Sequence, residues 1–148
     1  TLLAEVHAPL GVFGCLGNHD YWSDPDEISN SLRKVGIRIP TDDGITLNIS
    51  KSSSLRIYRS DYPYLKPWSF DVPDRDETFL NIVLSHTPDY YKRLEKSGAN
   101  LIFSGHLHGG QWRIPLFGSV IAPSIRDRIF DMGHFAYKKA HIFITAGG

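Results

Sequence analysis

Six residues of the types that bind metals or move protons fall in three short segments of the 148-residue sequence. They are Asn18, His19 and Asp20 in "GNHD", His86 in "SHTPD", and His106 and His108 in "GHLHGGQ". Neutral imidazoles and amide oxygens are good ligands for borderline divalent metals. A histidine beside a carboxylate is also suited to donating a proton. These residue types predict a metal site with an acid group next to it.

Each segment directly follows an apolar stretch typical of a buried strand: residues 10–16, 79–84 and 101–104. In open α/β sheets, ligand sites form outside the carboxyl ends of the strands. We therefore expect all three segments to meet at one edge of one sheet. His106 and His108 are two residues apart in a glycine-rich loop, so they can face two neighbouring metals as well as one.

The rest of the pattern predicts a single α/β domain over residues 1–148. Capping signals predict one helix that begins at Pro25, after Asp24, and another that begins at Pro88, after Thr87. Residues 45–49 and 55–58 favour antiparallel strands, residues 60–77 a long loop, and residues 112–145 further strands.

Composition narrows the classes of partner. Sixteen basic side chains balance sixteen acidic ones, so no overall field would attract nucleic acid or an anionic membrane. The single cysteine, Cys15, cannot form an internal disulfide and is better interpreted as a small buried hydrophobe than as a nucleophile. The chain starts at Thr1 and stops after an apparent strand, which favours a piece of a longer protein.

Simpler interpretations exist for each residue taken alone. Isolated histidines such as His7, His134 and His141 are usually solvated polar residues. "GNHD" alone is compatible with an ordinary turn, since Asn and Asp tolerate left-handed backbone. Three histidine segments that each follow an apolar strand are harder to explain in this way, and the combination favours a site.

Together, "CLGNHDYW", "LSHTPD" and "GHLHGGQ" resemble the last three motifs of the calcineurin-like metallophosphoesterases, in the same order. They are most similar to the bacterial YkuE-like branch, which includes phosphodiesterases and the UDP-2,3-diacylglucosamine pyrophosphatases of lipid A synthesis. The resemblance covers the chain from about Val12 to its end. It implies an α/β fold of four layers, in which a β-sandwich with a mixed sheet is flanked by helices.

The resemblance also implies roles for the six residues. Asn18, His86 and His106 would bind one metal ion and His108 a second, with Mn, Fe or Zn as the expected elements. His19 would lie beside the scissile phosphate, oriented by Asp20. Two divalent ions can activate water and neutralise charge on phosphoryl oxygens, so the implied reaction is hydrolysis of a phosphoester or pyrophosphate bond.

One departure from the family pattern limits this expectation. The family's Asp-x-His and Gly-Asp-x-x-Asp motifs, which supply most ligands of the first metal, do not occur in the sequence. The alternative is a catalytically silent metal-binding or scaffold fragment. A mononuclear site of His86, His106 and His108 also remains open.

The expected substrate is a phosphoester or a nucleotide-sugar lipid, without nucleic acid as a partner. Residues 60–71 contain four aromatic side chains: Tyr62, Tyr64, Trp68 and Phe70. Such a segment can contact a lipid surface or a nucleoside, although aromatic side chains also pin irregular loops to a domain. Peripheral membrane contact by a cytoplasmic or membrane-associated bacterial protein is therefore an expectation.

Overall fold

The computed structural model describes residues 2–41, 43–61, 78–109, 112–114, 118–121 and 132–146, with backbone only for 112–114 and 118–121. Its helices are α1 (Asn18–Trp22), α2 (Pro25–Lys34) and α3 (Tyr91–Lys96). Its strands are β1 (Val12–Phe13), β2 (Ile37–Arg38), β3 (Ile45–Asn48), β4 (Ser54–Ser60), β5 (Phe79–Ser85), β6 (Leu101–Ser104), β7 (Trp112–Ile114), β8 (Gly118–Ile121), β9 (Gly133–Tyr137) and β10 (Ala140–Ile144). Short 3₁₀ turns cover Leu2–Glu5 and Pro88–Tyr90.

Over the described ranges, the main sheet has six strands in the order β3-β4-β5-β6-β10-β9. Strands β4, β5, β6 and β10 run parallel to one another, whereas β3 and β9 are antiparallel edge strands. The prediction of an α/β fold with a mixed sheet is confirmed, as are the antiparallel pair β3–β4 and the strand-rich tail. The single domain over residues 1–148 stays a prediction, and residues 62–77 of the predicted loop lie outside the described residues.

The expectation that all three histidine segments follow strands of one sheet is wrong. Strand β1 pairs in parallel with β2 in a separate two-stranded sheet, with Val12 opposite Ile37. In the main sheet, β5 is flanked by β4 and β6, and β6 by β5 and β10. Because both edges of β5 and of β6 are already paired, β1 cannot lie next to either strand. Its loop must reach the site by another route.

The core lies on one face of the main sheet. Val83, Ile102 and Ile142 stand opposite one another on β5, β6 and β10, and all three are buried. Leu94 of α3 belongs to the same cluster. Since side chains alternate along a strand, Phe103 points to the other face, where it is 41% exposed. Strand β6, predicted as a buried strand, is therefore buried on one face.

Capping residues begin the helices where the sequence predicts. The Asp24 side chain accepts hydrogen bonds from the amides of Asp26 and Glu27 at the start of α2. The Thr87 hydroxyl accepts from the Asp89 amide, and the 3₁₀ turn there continues into α3. In the part of the chain that the structure describes, no helix has both the length and the apolar character needed to cross a membrane.

Candidate metal centre

The "GNHD" segment forms the start of helix α1, which corrects its interpretation as a simple turn. Gly17 is the N-cap, and the Asp20 carboxylate accepts a 2.7 Å hydrogen bond from the Gly17 amide. That bond satisfies a helix-start N–H that has no partner within the helix. The first turn of α1 therefore fixes Asn18, which is buried.

Asn18 meets His86, 68 residues further along the chain. The Asn18 Oδ1 and His86 Nε2 atoms are 2.8 Å apart. The absence of a side chain at Gly17 permits this approach, because a Cβ there would stand 2.5 Å from Cε1 of His86. The first and second histidine segments are therefore in direct contact although their strands belong to different sheets.

His106 reaches the same place from the neighbouring strand. Strands β5 and β6 are in register with Ser85 opposite Ser104, so the loops that follow them leave the sheet side by side. The rings of His86 and His106 lie with their centroids 4.6 Å apart, and the Gly105 amide donates to the His86 carbonyl. The structure thus brings Asn18, His86 and His106 together.

The backbone of the third segment is unusual. His106 has φ 70° and His108 has φ 50°, in the left-handed region that residues other than glycine seldom adopt. Leu107 between them is fully buried in the core. Leu107 thus anchors the loop to the core, while His106 is half-buried and His108 is exposed. Such conformations cost free energy and cluster at functional sites.

Burial and neighbouring groups keep both inner imidazoles neutral. The pKa of His86 falls from 6.5 to about 4, mainly because burial disfavours the charged ring and also because His106 is close. Burial also lowers the pKa of His106, and nearby Asp89 opposes that shift. Since a neutral imidazole is the form that binds metal, this environment suits both residues as ligands.

His19 lies at the outer side of this group. The residue is exposed, and its ring lies 4.7 Å, centroid to centroid, from that of Trp22. Asp20, by contrast, bonds the Gly17 amide. Consecutive helical residues point about 100° apart, so the two side chains leave α1 in different directions. The predicted orientation of His19 by Asp20 stays a prediction.

The donor set fits one divalent cation better than two. An amide oxygen and two imidazoles are ligands for Mn, Fe or Zn, and two donors about 2.1 Å from one ion stand about 3 Å apart, like Asn18 and His86. Among the described residues, no group of three or more His, Cys, Asp or Glu side chains is arranged to hold a metal. The three-histidine arrangement of His86, His106 and His108 is therefore not formed.

The other candidate residues do not join this group. His134 and His141 are exposed on β9 and β10, with a 2.9 Å contact between Nε2 of His134 and Nδ1 of His141. His7 is exposed. The half-buried Cys15 has its pKa raised to about 12, mainly by burial, so its thiol is protonated and suits the interpretation as a hydrophobe.

Sequence reasoning missed Asp61. It follows β4 directly, as His86 follows β5, and it contacts both sides of the "GNHD" segment. A polar residue just after a strand was the available signal. The sequence predicts the strand over residues 55–58 but places Asp61 in the long loop of residues 60–77.

Comparison with known proteins agrees with these motifs. The sequence profile described as Calcineurin-like phosphoesterase matches residues 1–110. The chain is 28% identical over 149 residues to the uncharacterized metallophosphoesterase YkuE of Bacillus subtilis, covering 99% of this chain and 52% of YkuE. It is 27% identical to the phosphodiesterase YaeI of Escherichia coli, covering 99% of this chain and 56% of YaeI.

A more distant relative is the UDP-2,3-diacylglucosamine pyrophosphatase LpxG of Chlamydia trachomatis, 24% identical, with 76% of this chain and 48% of LpxG covered. No solved structure matches. The chain spans about half the length of the curated relatives it matches.

Proposed function

This chain belongs to the calcineurin-like phosphoesterase family, and on that premise we propose that it supplies part of the active site of a metal-dependent phosphoester hydrolase. Members of this family use divalent metal ions. In this proposal Asn18, His86 and His106 hold one cation, and His108 contributes to a second. The proteins similar to this chain include a phosphodiesterase and a pyrophosphatase, which supports hydrolysis at a phosphodiester or pyrophosphate bond.

The contact between Asn18 and His86 carries the proposal. It joins an amide oxygen and an imidazole at 2.8 Å across 68 residues of sequence, and His106 packs against the same ring. The three side chains come from three separate segments of the sequence; Asn18 is buried, and both imidazoles are half-buried. Two neutral imidazoles and an amide oxygen are groups that bind a divalent cation as ligands.

The chain's own residues have separate tasks in this scheme. The cations would supply charge neutralisation on the phosphoryl oxygens. His19 is exposed beside the metal ligands, where its imidazolium form would donate a hydrogen bond to a phosphate oxygen or a proton to the departing oxygen. Asp20 fixes the first turn of α1 through the Gly17 amide, which holds Asn18 and His19 in place.

The small number of ligands for the second cation supports a second candidate function, which is metal binding without hydrolysis. Within the described ranges, our proposal assigns only His108 to that cation, and an ion held by one imidazole would be weakly bound. A nucleotide-sugar lipid as substrate, suggested by the name of LpxG, is the finer form of the first candidate.

Metal depletion of the full-length protein separates these possibilities. We expect EDTA to abolish hydrolysis of bis-p-nitrophenyl phosphate and added Mn²⁺ to restore it. A UDP-sugar, which contains a pyrophosphate bond, is assayed in parallel and distinguishes pyrophosphate hydrolysis from phosphodiester hydrolysis. Hydrolysis that survives exhaustive chelation would refute the proposal, whereas Mn²⁺ binding without hydrolysis of either substrate would favour the silent metal-binding protein.

A further inference from the structure

Asp61 occupies a position equivalent to that of His86 on the adjacent strand. Strands β4 and β5 are in parallel register with Ser60 opposite Ser85, so Asp61 and His86 each follow the last residue of neighbouring strands. The His86 amide donates to the Ser60 carbonyl at 3.0 Å, which ties the two strand ends together. The Asp61 side chain is only 7% exposed.

The Asp61 carboxylate holds the "GNHD" segment from both sides. Its Oδ1 accepts a 3.0 Å hydrogen bond from the Leu16 amide, just before the segment. Its Oδ2 accepts a 2.7 Å hydrogen bond from the Tyr21 hydroxyl, just after it. The Arg59 guanidinium lies 3.2 Å from the same Oδ2 and balances the charge. Hydrogen bonds to a charged group are stronger than neutral ones, so this is a firm attachment.

The "GNHD" segment needs such an attachment because its own secondary structure is too short to hold its position. Helix α1 has five residues, far below the length of about 12–15 at which an isolated helix is even marginally stable. The preceding strand β1 belongs to the two-stranded sheet with β2 and has no pairing with the main sheet. The Asp61 contacts join this part of the chain to the edge of the main sheet where His86 lies.

We propose that Asp61 is a positioning residue for the metal centre: by binding Leu16 and Tyr21 it sets the place of Asn18 relative to His86. The role rests on the proposed function, because it matters for chemistry only if Asn18 and His86 bind metal. Groups that orient ligands from behind typically change metal affinity or activity by about 10- to 100-fold when they are removed.

The test compares Asp61→Asn with Glu95→Gln in the full-length protein. Glu95 is a suitable control because it is also a buried carboxylate, 8% exposed, with a cation, Lys138, at 3.8 Å, but it lies on α3. Asp61→Asn keeps the size of the side chain and turns an amide nitrogen toward a donor that the carboxylate now accepts from. Two quantities are measured: amide hydrogen exchange of residues 16–22, and Mn²⁺ affinity by calorimetry.

We expect Asp61→Asn to speed exchange of residues 16–22 by about 10-fold or more and to weaken Mn²⁺ binding by about 10-fold. Glu95→Gln should do neither, even if it lowers the melting temperature equally. The proposal is overturned if Asp61→Asn leaves exchange as in Glu95→Gln, or if exchange rises while Mn²⁺ affinity does not change.

A milder variant keeps the test open if Asp61→Asn does not fold. Tyr21→Phe removes one of the two bonds to Asp61 and leaves the charge pair with Arg59 intact. It should speed exchange of residues 16–22 and weaken Mn²⁺ binding by about threefold each. If Tyr21→Phe changes neither quantity, the proposal is also overturned. A wild-type protein that binds no Mn²⁺ would refute the proposed function. The exchange rates of residues 16–22 would still test whether Asp61 holds the segment in place.

Discussion

Two regions of this protein bring histidine rings into contact, and they differ in almost every other respect. His86 and His106 meet at the carboxyl ends of β5 and β6, and Asn18 joins them from a distant segment. His134 and His141 meet on neighbouring strands, seven residues apart in sequence. The first pair is half-buried, and the second is exposed.

The contrast shows that a contact between imidazoles does not by itself indicate a site. In the β9–β10 hairpin, His134 lies beside His141 because antiparallel strands place side chains close together, and its ring stacks on Phe143. At the sheet edge, pairing of β5 with β6 brings His86 and His106 side by side, but Asn18 arrives from helix α1, 68 residues away in sequence. This arrangement depends on a glycine that leaves space for the His86 ring and on the positive φ of His106.

The largest expected effect is that of removing an inner histidine. His106→Ala in the full-length protein should reduce phosphodiesterase activity at least about 100-fold, because the proposed cation loses one of its three ligands. A 100-fold loss corresponds to about 2.7 kcal/mol of transition-state stabilisation. His134→Ala, which breaks the other histidine contact, should leave activity unchanged. Steady-state kinetics at saturating Mn²⁺ measures both, and equal losses would remove the distinction between the regions.

A smaller loss is expected from filling the space beside His86. In Gly17→Ala the new methyl group would stand 2.5 Å from the His86 ring and displace it, so activity should fall by about 10- to 100-fold. In the control Gly14→Ala, the methyl group would meet Ile39 at 3.4 Å and Ile37 at 3.5 Å. That control should retain activity. A fully active Gly17→Ala variant would show that the ring position is unimportant.

A third effect concerns stability in the absence of metal. The pKa of His86 is about 4 in the folded chain against an ordinary 6.5, so between these values the unfolded state binds more protons. Stability should therefore fall as the pH drops from about 6.5 to 4 and should lose nothing further from this residue below 4. Urea unfolding after EDTA treatment should show a weaker pH dependence in His86→Gln. A slope in His86→Gln equal to that of the wild-type protein would contradict this expectation.

The smallest effect is expected at Cys15, close to the first region but without a chemical role. With its pKa raised to about 12, the thiol is protonated at neutral pH. Cys15→Ala should keep activity within about twofold, and iodoacetamide at pH 8 should label the native thiol much more slowly than the urea-unfolded one. Fast labelling with loss of activity in the folded protein would argue for a reactive thiol.

The strands of the fold were largely predictable because their apolar patterns are local. Strands β5 and β6 and the antiparallel pair β3–β4 lie where the sequence indicates. Sheet membership was not predictable in the same way. Nothing in the apolar stretch around Phe13 reveals that β1 pairs with β2, because strand pairing is decided by contacts between distant residues.

The site was predictable in its residue types and less so in its supports. The three segments identify Asn18, His86 and His106, which the structure brings together. The position of Asp61 directly after a strand is visible in the sequence, but its attachment to the "GNHD" segment is not, because that depends on the register of β4 with β5. The positive φ of His106 was not foreseen either, since conformational freedom was expected of the glycines around it.

The central claim is that Asn18, His86 and His106 bind one divalent cation. Anomalous diffraction at the manganese edge, from crystals of the full-length protein grown with Mn²⁺, tests it most directly. The account predicts a peak in contact with Asn18 Oδ1, His86 Nε2 and a ring nitrogen of His106. A protein with Mn²⁺-dependent activity whose peaks all lie away from these three atoms would contradict it.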